Sequence, residues 1–111
     1  MARTTDNVEM GTGDVFKDLG LEDAQERRLR TQLAMRVNDL LAARKLSQSA
    51  AARILGIAQP HVSELHNYKL RRFSSERLLQ FITLLDRDVE IIIRPKTSLQ
   101  SGGMVSVLMA V

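Results

Sequence analysis

The side chains with the most evident chemistry fall within one short polar stretch of the chain. Six consecutive positions contain four residues that can donate or accept hydrogen bonds: Gln59, His61, Ser63 and Glu64. Three cations follow shortly after them: Lys69, Arg71 and Arg72. A glutamine amide can pair with the N6/N7 edge of adenine through two hydrogen bonds, whereas Lys and Arg side chains contact phosphate. This combination predicts DNA recognition, with the first group on base edges and the second on the backbone.

Two short helices joined by a tight turn would position these residues. In the stretch LSQSAAARILGIAQPHVSELHNYK, residues 46–69, Ser47 is of the type that caps a helix N-terminus, and Gly56 stands where the chain must turn. A second helix is expected to begin near Gln59 and Pro60, because a proline loses no hydrogen bond in the first turn. Two apolar residues three positions apart would face inward: Val62 and Leu65. The pattern favours a helix-turn-helix over a hairpin that only packs, with the polar face at the end that enters the major groove.

The flanking segments are also helical in pattern. A long helix is predicted from about Glu22 to Arg44, with a buried stripe at helical spacing: Leu29, Leu33, Val37, Leu40 and Leu41. Ser74 or Ser75 is expected to cap a later helix. Its predicted core side comprises Leu78, Leu79, Ile82, Leu84 and Leu85, with Phe81 beside them.

Residues 46–69 resemble the helix-turn-helix of the Xre/Cro, lambda-repressor-like family. The flanks DVFKDLGLEDAQERRLRTQLA and SSERLLQFITLLDRDVEIIIRPK are similar to the HigA-type antitoxin branch, so that the resemblance extends from Asp14 to Lys96. It implies a mainly α, lambda-repressor-like bundle that binds double-stranded operator DNA. The antitoxin branch further implies repression of a toxin–antitoxin operon and neutralisation of a partner toxin, usually a small, basic RelE-like ribonuclease.

The resemblance also implies roles for individual residues. Gln48 matches a glutamine that contacts phosphate and braces the recognition helix, and Gln59 matches the usual first base reader. His61 and Glu64 match other outward positions of that helix, and Ser63 is included among the expected base contacts. The expected phosphate contacts are Gln48, Asn67, Tyr68, Lys69, Arg71 and Arg72. Pro60 departs from the many relatives that carry a hydrogen-bonding side chain there, so any direct contact at that position would be apolar.

After the predicted helices the residue types change. Residues 89–93, VEIII, are β-branched apart from Glu90 and are bounded by Asp88 and Pro95, which predicts a strand. A single strand needs a partner for its backbone groups. The same strand of a second chain is the favoured partner, with the tail strand 104–109 as a possible hairpin neighbour and a toxin's sheet edge as the third candidate. A homodimer would place two recognition helices roughly 34 Å apart. The expected dimerisation residues are Val89, Ile91, Ile92 and Ile93.

Composition and charge narrow the function classes. The net charge of +3 conceals an acidic segment, residues 1–26, with seven acids and two bases, and a basic one, residues 27–85, with eleven bases and three acids. The basic segment suits phosphate binding. The chain has no cysteine, and His61 and His66 would lie roughly 140° apart on a helix, so neither a metal site nor a cofactor is expected. With no paired carboxylates, phosphate loop or long apolar run, we expect a cytoplasmic, non-enzymatic protein without a membrane segment.

These elements predict an order along the chain. Residues 1–13 form a disordered arm, and residues 14–30 form a docking segment and the start of the long helix. Residues 31–86 form the DNA-binding domain, residues 87–96 the dimerisation strand, and residues 97–111 a tail that begins with a linker. Two other functions remain open: a stand-alone Xre-family regulator without a toxin, and a protein-interaction module whose degenerate motif no longer binds DNA. The toxin could dock on the acidic stretch Asp6 to Glu26 or on the strand edge.

Overall fold

A computed structural model describes residues 23–96 and 104–110, and in these residues the fold is mainly α, as predicted. Four helices follow one another: α1 Asp23–Ala43, α2 Gln48–Leu55, α3 Gln59–His66 and α4 Ser75–Leu84. The disordered arm predicted at residues 1–13, the first part of the docking segment and the linker predicted from residue 97 to 103 lie outside the described residues. Within the described residues, no helix has both the length and the apolar character needed to cross a membrane.

The predicted helix caps are confirmed for α2 and α4. Ser47 Oγ accepts a hydrogen bond of 3.1 Å from the Ala50 N–H, and Ser74 Oγ accepts one of 3.1 Å from Arg77. Each bond satisfies one amide that the first helical turn would otherwise leave unpaired. Gly56 ends α2 in the left-handed conformation, at φ 72°, and its N–H donates to the Ala52 carbonyl at 2.8 Å. The turn between α2 and α3 is therefore built as the sequence predicts.

The core lies between α1 and α4 and is closed by the helix-turn-helix. The predicted stripe of α1 is buried throughout, and so are Val62 and Leu65 of α3. In α4 the prediction for Leu84 was wrong, since 43% of this residue is exposed. The buried positions Leu78, Phe81, Ile82 and Leu85 follow the i, i+3, i+4, i+7 spacing, and Leu84 falls beside that stripe. Phe73, which precedes α4, is also buried and packs edge-on against Phe81 with 5.9 Å between ring centroids.

Two polar side chains of α1, and that of Arg44 directly after it, bind backbone carbonyls of later segments. Asn38 Nδ2 donates to the carbonyl of Leu65 near the end of α3, at 3.1 Å. Arg30 Nη1 donates to the carbonyl of Leu70, at 3.3 Å, and Arg44 Nη2 to that of Leu85, at 2.9 Å. Carbonyls at helix ends lack partners within their own helix, so Asn38 and Arg44 supply side-chain donors near the ends of α3 and α4.

The predicted C-terminal strands are not present, because neither residues 89–93 nor residues 104–109 form a strand in the described part of the chain. Residues 89–96 have no regular secondary structure and are exposed, with Ile93 at 88%. In the tail, Val105, Val107 and Met109 pack against the core while the residues between them are exposed. The tail binds α1 through a 3.0 Å hydrogen bond from the Val107 N–H to Gln32 Oε1. A side chain of α1 thus takes the place of a neighbouring strand.

Candidate nucleic-acid interface

The second helix of the motif, α3, separates a buried side from a polar side. Val62 and Leu65 fix its inner side in the core. Its N-cap residue is Ala58, which makes no side-chain cap, and Pro60 stands in the first turn. Backbone interactions and packing therefore define the start of α3, where the N-cap residue forms no side-chain hydrogen bond and Gln59 is exposed.

The predicted base-contacting residues all lie on α3, but their accessibility differs. Gln59 is the first residue of the helix and is exposed. His61, Ser63 and Glu64 are half-buried. Gln59 is therefore the most accessible of the four predicted base-contacting residues. The base contacts of all four residues stay predictions.

One predicted base contact and one predicted phosphate contact bind each other. Arg72 Nε donates to Glu64 Oε1 at 2.5 Å, and Arg72 Nη2 lies 3.5 Å from Glu64 Oε2. The hydrogen bond from Arg72 lowers the pKa of the Glu64 carboxyl below its ordinary value, partial burial opposes this, and the positive charges of His61 and Lys69 add to the lowering. The same hydrogen bond raises the pKa of Arg72. The polar side of α3 therefore carries a neutralised ion pair.

The other predicted phosphate contacts lie at the ends of the two motif helices. Gln48 is the exposed first residue of α2, and Lys69 and Arg71 are exposed in the turn after α3. Asn67 ends α3, and its side-chain amide donates to the Ser63 carbonyl at 3.0 Å. Tyr68 takes a left-handed conformation, at φ 59°, and is 46% exposed. These exposed residues are accessible to the phosphates of a DNA duplex, whereas the side chain of Arg72 is hydrogen-bonded to Glu64.

The predicted dimerisation residues follow α4 and expose most of their apolar surface. Val89 is the most covered of the four, and Ile91, Ile92 and Ile93 are exposed over more than two thirds of their area. Contiguous apolar exposure of this kind is typical of surfaces that bind another protein.

A cleft that the sequence does not predict lies between α1 and the turn after α3. It is lined by Arg27, Arg30, Thr31, Tyr68, Leu70 and Arg71. A signal is present in the sequence, since three of the four residues 27–30 are arginines. The pattern alone could not show which of them would meet a turn 40 residues later in the chain.

Comparison with known proteins agrees with this architecture. A family model described as a helix-turn-helix domain matches residues 15–94. A solved structure named "Putative XRE Family Transcriptional Regulator" is 47% identical in sequence and superposes with a TM-score of 0.76. That match covers 80% of this chain and 100% of the other. No curated protein matches the chain. The model match, the sequence identity and the shared fold together show that the chain belongs to the XRE family of helix-turn-helix proteins.

Proposed function

We propose that this protein is a sequence-specific DNA-binding repressor of transcription that reads an operator through α3. The observation that carries the proposal is the exposed N-terminal end of α3, where Gln59 projects without a side-chain cap beside it. The exposed cations Lys69 and Arg71 follow the same helix, and residues 27–85 carry the basic charge that phosphate binding requires. In this proposal, residues 31–86 form the DNA-binding domain.

The test is the variant Gln59→Ala, with Gln80→Ala as a matched control because Gln80 is an exposed glutamine of α4. Binding is measured on a duplex from the region upstream of the gene and on a random duplex of equal length. Loss of an amide contact to a base should weaken specific binding by about 1–3 kcal/mol while random-sequence binding is retained. A Gln59→Ala protein that binds the upstream duplex as tightly as the wild type would show that Gln59 reads no base.

We further propose that the protein acts as a homodimer through residues 87–96. The support is the exposed run Ile91–Ile93, whose backbone and side chains could pair with the same segment across a two-fold axis. A dimer would place two copies of α3 on successive turns of the duplex. The single chain contains no such strand, so the pairing belongs to the proposed assembly.

Most specifically, we propose that this protein is the antitoxin of a HigBA-type operon. It is supported by the resemblance of the flanks to HigA-type antitoxins and by the acidic residues 1–26, which are complementary in charge to a basic RelE-like toxin. The toxin could be bound by this segment or by the apolar residues 89–93. A stand-alone regulator would share the DNA-binding surface but have no toxin gene beside its own.

Co-expression with the neighbouring gene separates these possibilities. An antitoxin should restore growth of cells that make the toxin and should co-purify with it. Deletion of residues 1–21 should abolish growth rescue and retain operator binding if the acidic segment is the docking site. Full rescue by the truncated protein would exclude that segment. Failure of the full-length chain to rescue growth, with repression intact, would favour a stand-alone regulator.

A further inference from the structure

The cleft between α1 and the turn after α3 is rich in positive charge. Arg27 and Arg30 come from α1, and Arg71 comes from the turn. Among the described residues near it, the carboxylate of Glu26 lies against Arg30, with 3.5 Å between Oε2 and Nε. The cleft therefore keeps a surplus of positive charge on the side of the molecule where α3 ends.

Some polar side chains that line the cleft already form hydrogen bonds within the protein, and others do not. Arg30 forms one, because its Nη1 donates to the Leu70 carbonyl and holds the turn against α1. Its buried Nε has no hydrogen-bond partner among the described residues. The Thr31 hydroxyl also forms a hydrogen bond within the protein, since it donates to the Arg27 carbonyl at 3.0 Å. Within the described residues the guanidinium groups of Arg27 and Arg71 have no hydrogen bond or ion pair.

We propose that this cleft binds a phosphate of the DNA backbone, with Arg27 and Arg71 as the charged donors and Arg30 as the residue that positions the turn. This inference rests on the proposed DNA binding and extends the interface beyond the two motif helices to α1. A backbone phosphate is the expected occupant because Tyr68 and Arg71, which line the cleft, belong to the turn that directly follows α3. Two arginines from different elements can approach one phosphate from two sides.

The test uses the full chain with the substitutions Arg27→Ala and Arg27→Lys, and with Arg28→Ala as the matched control. Arg28 has the same charge, lies next to Arg27 on α1 and is likewise exposed, but it does not line the cleft. The dissociation constant is measured over a range of salt concentrations on the upstream duplex and on a random duplex. Thermal unfolding of each variant shows that α1 is intact.

We expect Arg27→Ala to reduce the slope of log K against log salt by about 0.9 on both duplexes, because one phosphate contact is lost. Arg27→Lys should restore most of the slope, and Arg28→Ala should leave it near the wild-type value. An unchanged slope in Arg27→Ala, or an equal loss in Arg28→Ala, would overturn the proposal. Failure of the wild-type chain to bind either duplex would instead refute the proposed function, so the two failures are distinguishable.

Discussion

The contact between Glu64 and Arg72 changes what either residue can do alone. An unpaired carboxylate on the polar side of α3 would repel the phosphates of a duplex. The ion pair with Arg72 neutralises the charge of the Glu64 carboxylate. The pairing also restricts Arg72, whose exposed side chain is hydrogen-bonded to the Glu64 carboxylate. A carboxylate so oriented can still accept a hydrogen bond from the amino group of cytosine. The ion pair thus suits a role in specificity more than a role in general affinity.

The titration of Glu64 offers a direct check of this contact. Because its folded pKa is lowered, the carboxyl should stay ionised at an acid pH at which an ordinary glutamate is protonated. Its contribution to stability is present above the ordinary pKa of glutamate and is lost as the pH falls through the lowered value. Carbon-detected NMR of the Glu64 side-chain carboxyl measures this titration. In Arg72→Ala the pKa of Glu64 should rise toward the ordinary value of glutamate, and an unchanged value would show that Arg72 is not the cause.

The left-handed residue Gly56 provides a second test at the residue scale. A Cβ at this position would meet no atom within 4 Å, so Gly56→Ala adds backbone strain without a steric clash. We expect it to lower the free energy of unfolding by about 1–2 kcal/mol. Lys45→Gly is the matched control because Lys45 also has a positive φ, of 55°, and this substitution relieves the same strain. Chemical denaturation should show a loss for the first variant and no loss for the second, and equal stabilities would contradict the explanation.

The first helix, α1, contacts both α4 and α3. It buries a stripe against α4 and provides side-chain donors at positions 30 and 38, and Arg44, directly after its last residue, provides a third. Each such bond stabilises modestly, and the Leu65 carbonyl also accepts a hydrogen bond from the Tyr68 N–H at 3.1 Å. The orientation of α3 relative to the rest of the bundle therefore depends on α1 as well as on the Gly56 turn.

Asn38→Leu tests this dependence at the element scale. The substitution keeps the size of the side chain but removes the amide that binds the Leu65 carbonyl. We expect the free energy of unfolding to fall by about 0.5–1.5 kcal/mol, because the Leu65 carbonyl keeps the 3.1 Å hydrogen bond from the Tyr68 N–H. Asp39→Ala is the control, since the neighbouring Asp39 forms an exposed ion pair with Arg36 at 3.8 Å and should change stability by less than about 1 kcal/mol. Equal effects in urea denaturation would mean that the amide has no special role.

Elements governed by local sequence were predictable, and contacts between distant segments were not. Ser47 and Gly56 act on backbone groups within a few residues, so their types alone predict a cap and a turn. The exposure of Leu84, which was predicted to be buried with Leu85, depends on which side of α4 faces α1. The contact of Arg72 with Glu64 joins residues eight positions apart, and the cleft joins segments 40 residues apart. Neither has a periodic signal that a single sequence could reveal.

At the scale of the whole molecule, the exposed residues 89–93 predict self-association. Ile91→Pro removes one backbone donor and fixes φ, which should prevent pairing with a second chain. Sedimentation should show a dimer for the wild type and a monomer for this variant, with loss of tight operator binding. Leu108→Pro serves as the comparison because Leu108 is an exposed apolar residue of the tail. A dimer that survives Ile91→Pro but not Leu108→Pro would move the interface to residues 104–110.

The donors that α1 provides have a consequence for domain exchange. Residues 47–67 look like a portable module, since the cap, the turn and both helices are encoded within them. Yet the Leu65 carbonyl of that module accepts a hydrogen bond from an amide that lies outside it, at Asn38. A chimaera that transfers only the module into another scaffold would keep its residues for DNA recognition and lose the group that fixes their direction. A transfer of DNA-binding specificity between relatives should therefore succeed when α1 is transferred together with residues 47–67.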